Sequence, residues 1–261
     1  DRESMKNCVQ DATKIYRFHS LPAPTCPEFC LPIPISPKAL SLMKELKINI
    51  IHTHSPFLMG FLGASLARKI DVPLIFTHHT MYHEYAHYFP APQTLTKGVI
   101  RRYLKYYFRH CDHVITPTPL IKDYVQNSYH TNVPITAIPT GIDLTAFHAG
   151  DEHWLRHKLS IPEQDKIILF VGRLTAEKNP LLVLQAFAQI AAEVQNLHLV
   201  YVGEGPEKSK LKSFAAAQNL NNFVHFTGAI DFQHVADSCI AADLFLFGST
   251  TETQGLVLGE A

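Results

Sequence analysis

Two glutamates near the end of the sequence, Glu252 and Glu260, are eight residues apart. The largely apolar residues 243–247 before them predict a buried strand, and a helix is expected to begin near Gln254 or Gly255. Free amides at such a helix start favour an anion, typically a phosphate. Helical residues eight positions apart are separated by roughly 12 Å, more than the roughly 5–9.5 Å between paired glycosidase carboxylates. We therefore expect the two carboxylates to contact different parts of one ligand; a surface helix with two solvated glutamates is the alternative.

Two cations five residues apart, Arg173 and Lys178, occur in the segment Gly-Arg-Leu-Thr-Ala-Glu-Lys at 172–178. The segment follows a predicted strand and leads into a predicted helix, so both side chains would project at the carboxyl edge of that strand. Converging cations suit a diphosphate leaving group, which gains negative charge in the transition state. Solvated charge is the alternative for this pair alone. Because Glu252 and Glu260 lie in the same half of the chain, also at a strand-to-helix turn, we favour a common ligand site.

Glycine-containing turns follow two further predicted strands. Gly203 and Gly205 belong to the sequence Gly-Glu-Gly-Pro, and Gly228 begins Gly-Ala-Ile. Glycine lets another backbone or a ligand approach closely, so either turn could contact a bound nucleotide. The first turn lacks the Gly-Lys-Ser/Thr ending of a P-loop, and both could equally be plain turns.

The sixteen histidines of the sequence are unusual, and several lie where predicted strands end. One pair, His52 and His54, and a second pair, His78 and His79, lie at the ends of predicted strands. His83 and His87 follow the second pair at four-residue intervals. Such imidazoles could bind a transition metal in a hydrolase. However, no aspartate follows closely after either pair, and Glu84 is the only carboxylate nearby. A metal site is therefore the less favoured interpretation, and most of these histidines are expected to be structural or exposed.

A basic stretch without an acidic residue spans residues 97–109. Its cations alternate with aromatic and aliphatic side chains at helical spacing; they are Lys97, Arg101, Arg102, Lys105 and Arg109. A basic, aromatic-rich amphipathic helix suits an anionic membrane surface, whereas a domain helix with a solvated basic face is the simpler alternative. A nucleic-acid partner is not favoured, because no nucleic-acid-binding motif accompanies the stretch.

Strands and helices alternate along most of the chain, which predicts α/β architecture with parallel sheets covered on both faces. The alternation breaks at Pro-Thr-Gly-Ile-Asp, residues 139–143, where we place a junction between domains spanning 1–143 and 144–261. Two open α/β domains joined once are expected to place a ligand cleft at the carboxyl ends of their strands.

Several local elements are expected from proline and capping patterns. Residues 14–19 predict a strand, the proline-rich residues 21–37 an extended loop, and Ser36 the cap of a helix. Pro206 is expected to open a helix in the second half, because proline is favoured at the first helical position.

Composition limits the class of protein. The 261 residues are 46% apolar with zero formal net charge, which argues against disorder and bulk nucleic-acid affinity. Five irregularly spaced cysteines favour reduced intracellular thiols over disulfides, and no apolar run approaches the roughly 18 residues of a membrane span. We therefore expect a soluble, cytosolic protein. The polar start and an ending inside a helix lead us to expect a fragment of a longer protein, with both domains incomplete.

The spacing of Glu252 and Glu260 resembles the E-x7-E signature of the retaining glycosyltransferases of family 4, enzymes of the GT-B fold with two Rossmann-like domains. The segment Thr-Glu-Thr-Gln-Gly at 251–255 is similar to the corresponding segment of bacterial diacylglycerol glucosyltransferases. The resemblance runs from about Ile50 to Ala261. It departs from the family where Thr140 replaces the usual asparagine of Pro-Asn-Gly-Ile-Asp.

The resemblance implies roles for residues already singled out. Arg173 and Lys178 would bind the donor diphosphate, and Glu260 would bind the ribose hydroxyls. Glu252 would face the transferred sugar, and His79 matches the cleft histidine that faces the sugar and the diphosphate. Further donor contacts are implied for the helix start and the glycine turns, namely Thr253, Gln254, Gly255, Leu256, Gly203, Gly205 and Gly228.

The implied reaction moves a hexose, glucose from UDP-glucose, onto a lipid hydroxyl such as that of diacylglycerol, with retained configuration. No Asp-x-Asp motif occurs, so we expect a metal-independent hexosyltransferase without a cofactor, cytoplasmic and peripheral at the inner face of the cell membrane. One alternative is a metal-dependent hydrolase using the histidines of residues 52–54 and 78–79. Another is a module that binds a nucleotide sugar or a membrane without catalysis.

Overall fold

The computed structural model describes residues 15–23, 26–88 and 91–261, with the side chains of 23–29 and 87–88 left out. The chain forms two compact units, Asp1–Ile138 and Pro139–Ala261. The division falls at the first residue of the Pro-Thr-Gly-Ile-Asp segment, a few residues before the boundary expected from the sequence.

The first unit contains a four-stranded parallel sheet and a separate antiparallel hairpin. Its elements are β1 Ser20–Ala23, β2 Cys26–Pro32, α1 Ala39–Glu45, β3 Ile51–Thr53, α2 Leu58–Ile70, β4 Leu74–Thr77, a 3₁₀ helix Tyr82–Tyr88, α3 Gln93–Phe108, β5 His113–Thr116, α4 Pro119–Tyr129 and β6 Ile135–Ala137. The parallel strands lie in the order β3-β4-β5-β6. Phe76, Leu104, Phe108 and Val114 are fully buried between sheet and helices, which accounts for the apolar periodicity of these elements.

The second unit contains another four-stranded parallel sheet, in the order β10-β7-β8-β9. Its elements are α5 Thr145–His148, α6 Trp154–Leu159, β7 Lys166–Val171, a 3₁₀ helix Ala176–Lys178, α7 Pro180–Ile190, β8 Leu197–Val202, α8 Lys208–Ala217, β9 Val224–Gly228, α9 Phe232–Ala241, β10 Leu244–Phe245 and α10 Leu256–Glu260. Side chains on both faces of the two central strands are buried, as expected for a parallel sheet covered by helices. The α/β class with parallel sheets is confirmed.

The beginning of the chain differs from expectation. Residues 15–19 have no regular structure, and the proline-rich region forms the β1–β2 hairpin instead of a loop. A two-stranded ribbon has unpaired outer edges, where proline is tolerated because no ladder hydrogen bond is lost. Ser36 does not cap a helix; α1 begins after Lys38, and the carbonyl of Ser36 accepts a backbone hydrogen bond from Ala39.

Three expectations for the second unit were also wrong in detail. Pro206 does not open α8, because Glu207 is the residue at its N-cap. The break in the alternation predicts little helix from residue 144 to Gly150, but α5 lies there. The strand over 243–247 is shorter, and Leu244 is 52% exposed. It lies at the edge of the sheet, where a strand has a neighbour on one side only.

Candidate functional site

The glycine turns of the second unit pack against one another at the carboxyl ends of β7, β8 and β9. A Cβ on Gly203 would lie 2.9 Å from the carbonyl carbon of Gly172, and one on Gly205 would lie 2.7 Å from that of Leu174. The amide of Gly203 also donates to the carbonyl of Gly228 at 2.9 Å. Glycine at 203 and 205 is therefore required by the approach of the protein's own backbone, besides any contact with a ligand.

Arg173 is held by a buried carboxylate that the sequence analysis did not single out. Its Nη2 donates to Oε1 of Glu177 at 3.2 Å, and the exposed fraction is 45% for Arg173 against 5% for Glu177. The guanidinium thus extends from a buried anchor to the surface. The spacing of four residues was the available signal, because such pairs meet on one face of a helical turn.

Lys178 pairs directly with the first of the two signature glutamates. Its ammonium group donates to Oε1 of Glu252, and it also lies 5.5 Å from the ring centroid of Phe247. The exposed fractions of the two charged side chains are 19% and 29%. The pair is half-buried, so Lys178 is not a freely solvated surface charge.

The loop that carries Glu252 is fixed to the segment that carries the two cations. The amide of Thr250 donates to the carbonyl of Glu177 at 3.1 Å, and the hydroxyls of Ser249 and Thr250 lie 3.4 Å from the same oxygen. The structure therefore brings the segment 172–178 and the loop before α10 into one place. A cationic side chain and a carboxylate are therefore neighbours there, and the phosphate site itself stays a prediction.

The side chain of Gln254 is used within the protein. Its Oε1 accepts from the amide of Thr140 at 3.0 Å, and its Nε2 donates to the carbonyl of Thr140 at 2.8 Å. Gly255, with φ of +69°, is the N-cap of α10, and Leu256 is its first residue. Any ligand contact by Gln254 would consequently come from its backbone, and the same segment fastens the residues 139–143 to the second unit.

The two glutamates have different surroundings within the protein. Glu252 contacts Lys178, whereas Glu260 lies near Cys239 of α9. Burial, with a smaller contribution from the charge of Glu260, raises the pKa of the Cys239 thiol to about 11. The charge of Glu260 is thus close enough to Cys239 of α9 to affect its thiol.

Three of the predicted histidines lie together at the carboxyl ends of β3 and β4 in the first unit. Nδ1 of His54 and Nε2 of His79 are 2.9 Å apart, and Nε2 of His52 is 2.6 Å from the hydroxyl of Thr77. Partial burial, and then the neighbouring His54, lower the pKa of His79. The pKa of His52 is lowered by burial and then by His54 and His79. The neutral form of the ring is therefore favoured for His52 and His79.

His78 occupies a different environment from its neighbour. It is fully buried among aromatic rings that include Phe76, Tyr82 and Tyr129, and burial lowers its pKa to about 3. His83 bonds to Tyr124, and the side chain of His87 lies outside the described residues. No group of three or more histidine, cysteine or acidic side chains suited to a metal ion occurs among the residues that the structure describes. The alternative four-histidine metal site is therefore not formed by them.

The cations of α3 divide between two faces. The outward face combines apolar and basic side chains at intervals of three and four residues, namely Leu95, Val99, Arg102, Tyr106 and Arg109. Arg101 instead donates to the carbonyl of Ser128 at 3.0 Å, Lys97 lies 3.8 Å from Glu84, and Lys105 is half-buried. Within the described part of the chain, no helix combines the length and apolarity needed to cross a membrane.

Comparison with known proteins gives consistent results over both units. Residues 3–146 match the profile of Glycosyltransferase Family 4, and residues 151–261 match that of Glycosyl transferases group 1. The chain is 35% identical over 86% of its length to an alpha-monoglucosyldiacylglycerol synthase of Streptococcus pneumoniae, covering 52% of that protein. It is 30% identical over 84% of its length to the enzyme of the same name from Acholeplasma laidlawii, covering 57% of it. The chain thus spans about half the length of these relatives.

Solved structures share the fold at lower identity. Sucrose-phosphate synthase from Thermosynechococcus elongatus superposes with a TM-score of 0.71 at 24% identity, over 84% of this chain and 55% of that one. Anabaena Alr3699/HepE in complex with UDP and glucose superposes with a TM-score of 0.69 at 20% identity, over 85% and 59% of the two chains.

Proposed function

Because this chain belongs to glycosyltransferase family 4 and has the GT-B fold, we propose that it transfers a hexose from a nucleotide sugar to a lipid hydroxyl. The donor proposed is UDP-glucose and the acceptor a diacylglycerol, with the anomeric configuration retained. Two relatives at 35% and 30% identity are named as synthases of alpha-monoglucosyldiacylglycerol, which supports this donor sugar and this acceptor class.

The contact between Lys178 and Glu252, beside Arg173, is the observation that carries the proposal. A diphosphate bound here would offer Lys178 a partner of higher charge than one carboxylate. Lys178 would then exchange Glu252 for the diphosphate, leaving that carboxylate to accept hydrogen bonds from the hydroxyls of the sugar. Hydrogen bonds to charged groups contribute about 1.5–3 kcal/mol, so this exchange links donor binding to placement of the sugar.

Departure of the nucleoside diphosphate requires stabilisation of negative charge. Arg173 is anchored by Glu177 with nearly half of its side chain exposed, so its guanidinium is oriented before the donor arrives. Fixed donors of this kind lower a barrier because they need no reorganisation during the reaction, and losing one typically lowers the rate by about 10²–10³-fold. We propose that these cations and the amides before α10 supply this field without a metal ion.

The acceptor side is assigned to the first unit. His79 lies on the loop after β4, and the family resemblance suggests that it contacts the transferred sugar. We propose that the outward face of α3 contacts an anionic membrane, because Arg102 and Arg109 flank exposed apolar side chains. Such a face buries its apolar side chains among lipid while its cations bind anionic headgroups. The protein would then act as a peripheral enzyme on a lipid already in the bilayer.

The test is transfer of radiolabelled glucose from UDP-glucose to diacylglycerol in vesicles by the intact protein. Arg173→Ala and Glu260→Ala are expected to lower kcat/KM by at least tenfold. Lys210→Ala is the control, because Lys210 is an exposed residue of α8 that pairs with Glu207. Turnover is expected to persist in EDTA. UDP binding without any transfer would favour the binding-module alternative. A stoichiometrically bound metal whose removal by a chelator abolishes activity would refute the metal-independent scheme.

A further inference from the structure

A cavity of about 310 Å³ lies in the first unit beside the ends of α3 and α4. Its walls come from the residues just before β5 and β6, at the edge of the sheet where these strands begin. Ligands of open α/β sheets usually bind at the opposite edge, where the strands end. The volume greatly exceeds the roughly 10–15 Å³ that one water molecule needs. The cavity is therefore large enough for a small polar group, and it shares no residue with the candidate site of the second unit.

Two cations of α3 line the cavity together with polar side chains from the loop after α4. Lys105 and Arg109 are four residues apart, so they are neighbours on one side of the helix. His130 and Asn132 line the cavity from the loop. Lys105 is half-buried, and the other three side chains are exposed. The cavity thus combines positive charge with hydrogen-bond donors and is open to solvent.

The two cations have no acidic partner. Neither Lys105 nor Arg109 forms an ion pair with any residue that the structure describes. Asp112 is the acidic residue nearest to them in sequence, but its carboxylate accepts a hydrogen bond from the amide of Leu74 at 2.8 Å and does not line the cavity. Like charges at a spacing of four residues repel each other. An anion bound between the two cations would remove this repulsion.

The end of α3 does not require these cations for its own hydrogen bonds. The carbonyl of Tyr107 accepts a hydrogen bond from the amide of His110 at 2.9 Å, and that of Phe108 accepts one from the amide of Cys111 at 3.1 Å. The dipole of a helix end is equivalent to roughly half a negative charge. The ends of α3 and α4 together therefore offset about one of the two positive charges, and a net positive charge remains at the cavity.

We propose that this cavity binds the phosphate group of an anionic membrane lipid. Phosphate oxygens accept charge-assisted hydrogen bonds from lysine and arginine, and a phosphodiester carries the negative charge that the two cations lack. Arg109 also belongs to the outward face of α3, so a lipid at that face brings its phosphate to the cavity. The lipid as the source of the phosphate rests on the membrane contact proposed above. A soluble phosphate ester has the same chemistry, and the experiment separates the two sources.

The test measures sedimentation of the intact protein with phosphatidylglycerol vesicles and hydrogen exchange of the loop 129–134, with vesicles or with glycerol 3-phosphate. This loop lies outside α3, so its protection reports on the cavity and not on the outward face of the helix. Vesicles should slow its exchange. Lys105→Gln should weaken vesicle binding about tenfold, the contribution of a charged hydrogen bond, and Lys105→Arg should stay within about threefold of wild type because it keeps the charge. Lys69→Gln is the matched control, since Lys69 is an exposed lysine in the last turn of α2 that does not line the cavity.

Each outcome decides part of the proposal. Equal losses of vesicle binding in Lys105→Gln and Lys69→Gln, or no loss in either, would overturn the lipid site, because only the overall charge would then matter. Protection of 129–134 by glycerol 3-phosphate and not by vesicles would support a phosphate site and refute the lipid source. If neither ligand protects this loop in wild type, the cavity binds no phosphate. A wild-type protein that transfers no glucose would instead refute the proposed function and leave these binding results unaffected.

Discussion

Replacing Gly203 with alanine tests whether the glycine turns serve the fold or only a ligand. Gly203 has φ of +136°, and a Cβ there would lie 2.9 Å from the carbonyl carbon of Gly172 and closer still to its oxygen. Gly172 cannot withdraw easily, because its amide is bonded to the carbonyl of Val202 at 3.0 Å. The added methyl group must therefore push β7 and β8 apart at their carboxyl ends.

The expected loss of stability has two parts. A non-glycine residue in this backbone region costs about 1–3 kcal/mol, and forcing a methyl group into a packed site costs about 1–3 kcal/mol more. The sum, about 2–6 kcal/mol, is a large fraction of the roughly 5–15 kcal/mol that stabilises a typical domain. Gly98→Ala is the control: a Cβ at Gly98 in α3 would meet nothing within 4 Å, and helix propensity predicts a gain of up to about 1 kcal/mol.

Hydrogen exchange measured by mass spectrometry localises the effect in the intact protein. At about 1.4 kcal/mol per factor of ten, Gly203→Ala should accelerate exchange of the best-protected amides in 166–171 and 197–202 roughly 30-fold or more. Gly98→Ala should leave these peptides unchanged. If Gly203→Ala exchanged like wild type and lost only its affinity for UDP, the glycine would serve the ligand alone and the packing argument would be refuted.

Three further predictions concern the charges of the two units. Lys178→Ala should weaken UDP binding about 10- to 100-fold, because a charged hydrogen bond contributes about 1.5–3 kcal/mol. Glu252→Gln should leave UDP affinity unchanged and lower turnover. UDP affinity is measured by calorimetry and turnover by the transfer assay, and an equal loss of UDP affinity in both variants would contradict this prediction. Burial lowers the pKa of His225 to about 4, so the folded state favours the neutral ring, and stability should be complete above about pH 6.5 and fall as the pH is lowered towards 4. Denaturant titrations across this pH range should show that the free energy of unfolding falls less steeply with pH in His225→Gln than in wild type. An unaltered pH dependence would show that His225 is not the group responsible. The double variant Arg102→Glu, Arg109→Glu should reduce sedimentation with phosphatidylglycerol vesicles at least tenfold, since each basic residue contributes about 1 kcal/mol at an anionic surface. Vesicle binding that survives both changes would exclude this face of α3 as the membrane contact.

Much of the fold could be predicted from local pattern. The apolar patterns of residues 113–116, 166–171 and 232–241 predict two strands and a helix, and these agree with the observed bounds of β5, β7 and α9. Such elements follow from apolar periodicity and capping, which depend on neighbours within a few residues. The β1–β2 hairpin was missed for the opposite reason: its stability comes from pairing across the ribbon, which the proline content of each strand does not reveal.

The sequence also predicted which residues could form the candidate site, and its ligand stays a prediction. The spacing of Arg173 and Lys178 after a strand, and of Glu252 before a helix, indicated a site for a diphosphate. The spacing of these residues along the chain could not predict which side chains contact each other. Lys178 pairs with a residue 74 positions away, and His54 with one 25 positions away. The buried anchor at Glu177 likewise became visible only when its exposure was known.

By itself, the amino-acid sequence determined the order of most elements, their α/β class and the kinds of charge at the ends of the strands. Each of these depends on interactions within one helix, strand or turn. Tertiary structure alone decided which cation meets which carboxylate, which histidine contacts another, and why glycine is needed at position 203. The reason is physical: those contacts form where separate strands end side by side, so they depend on the register and packing of the sheets and not on distance along the chain.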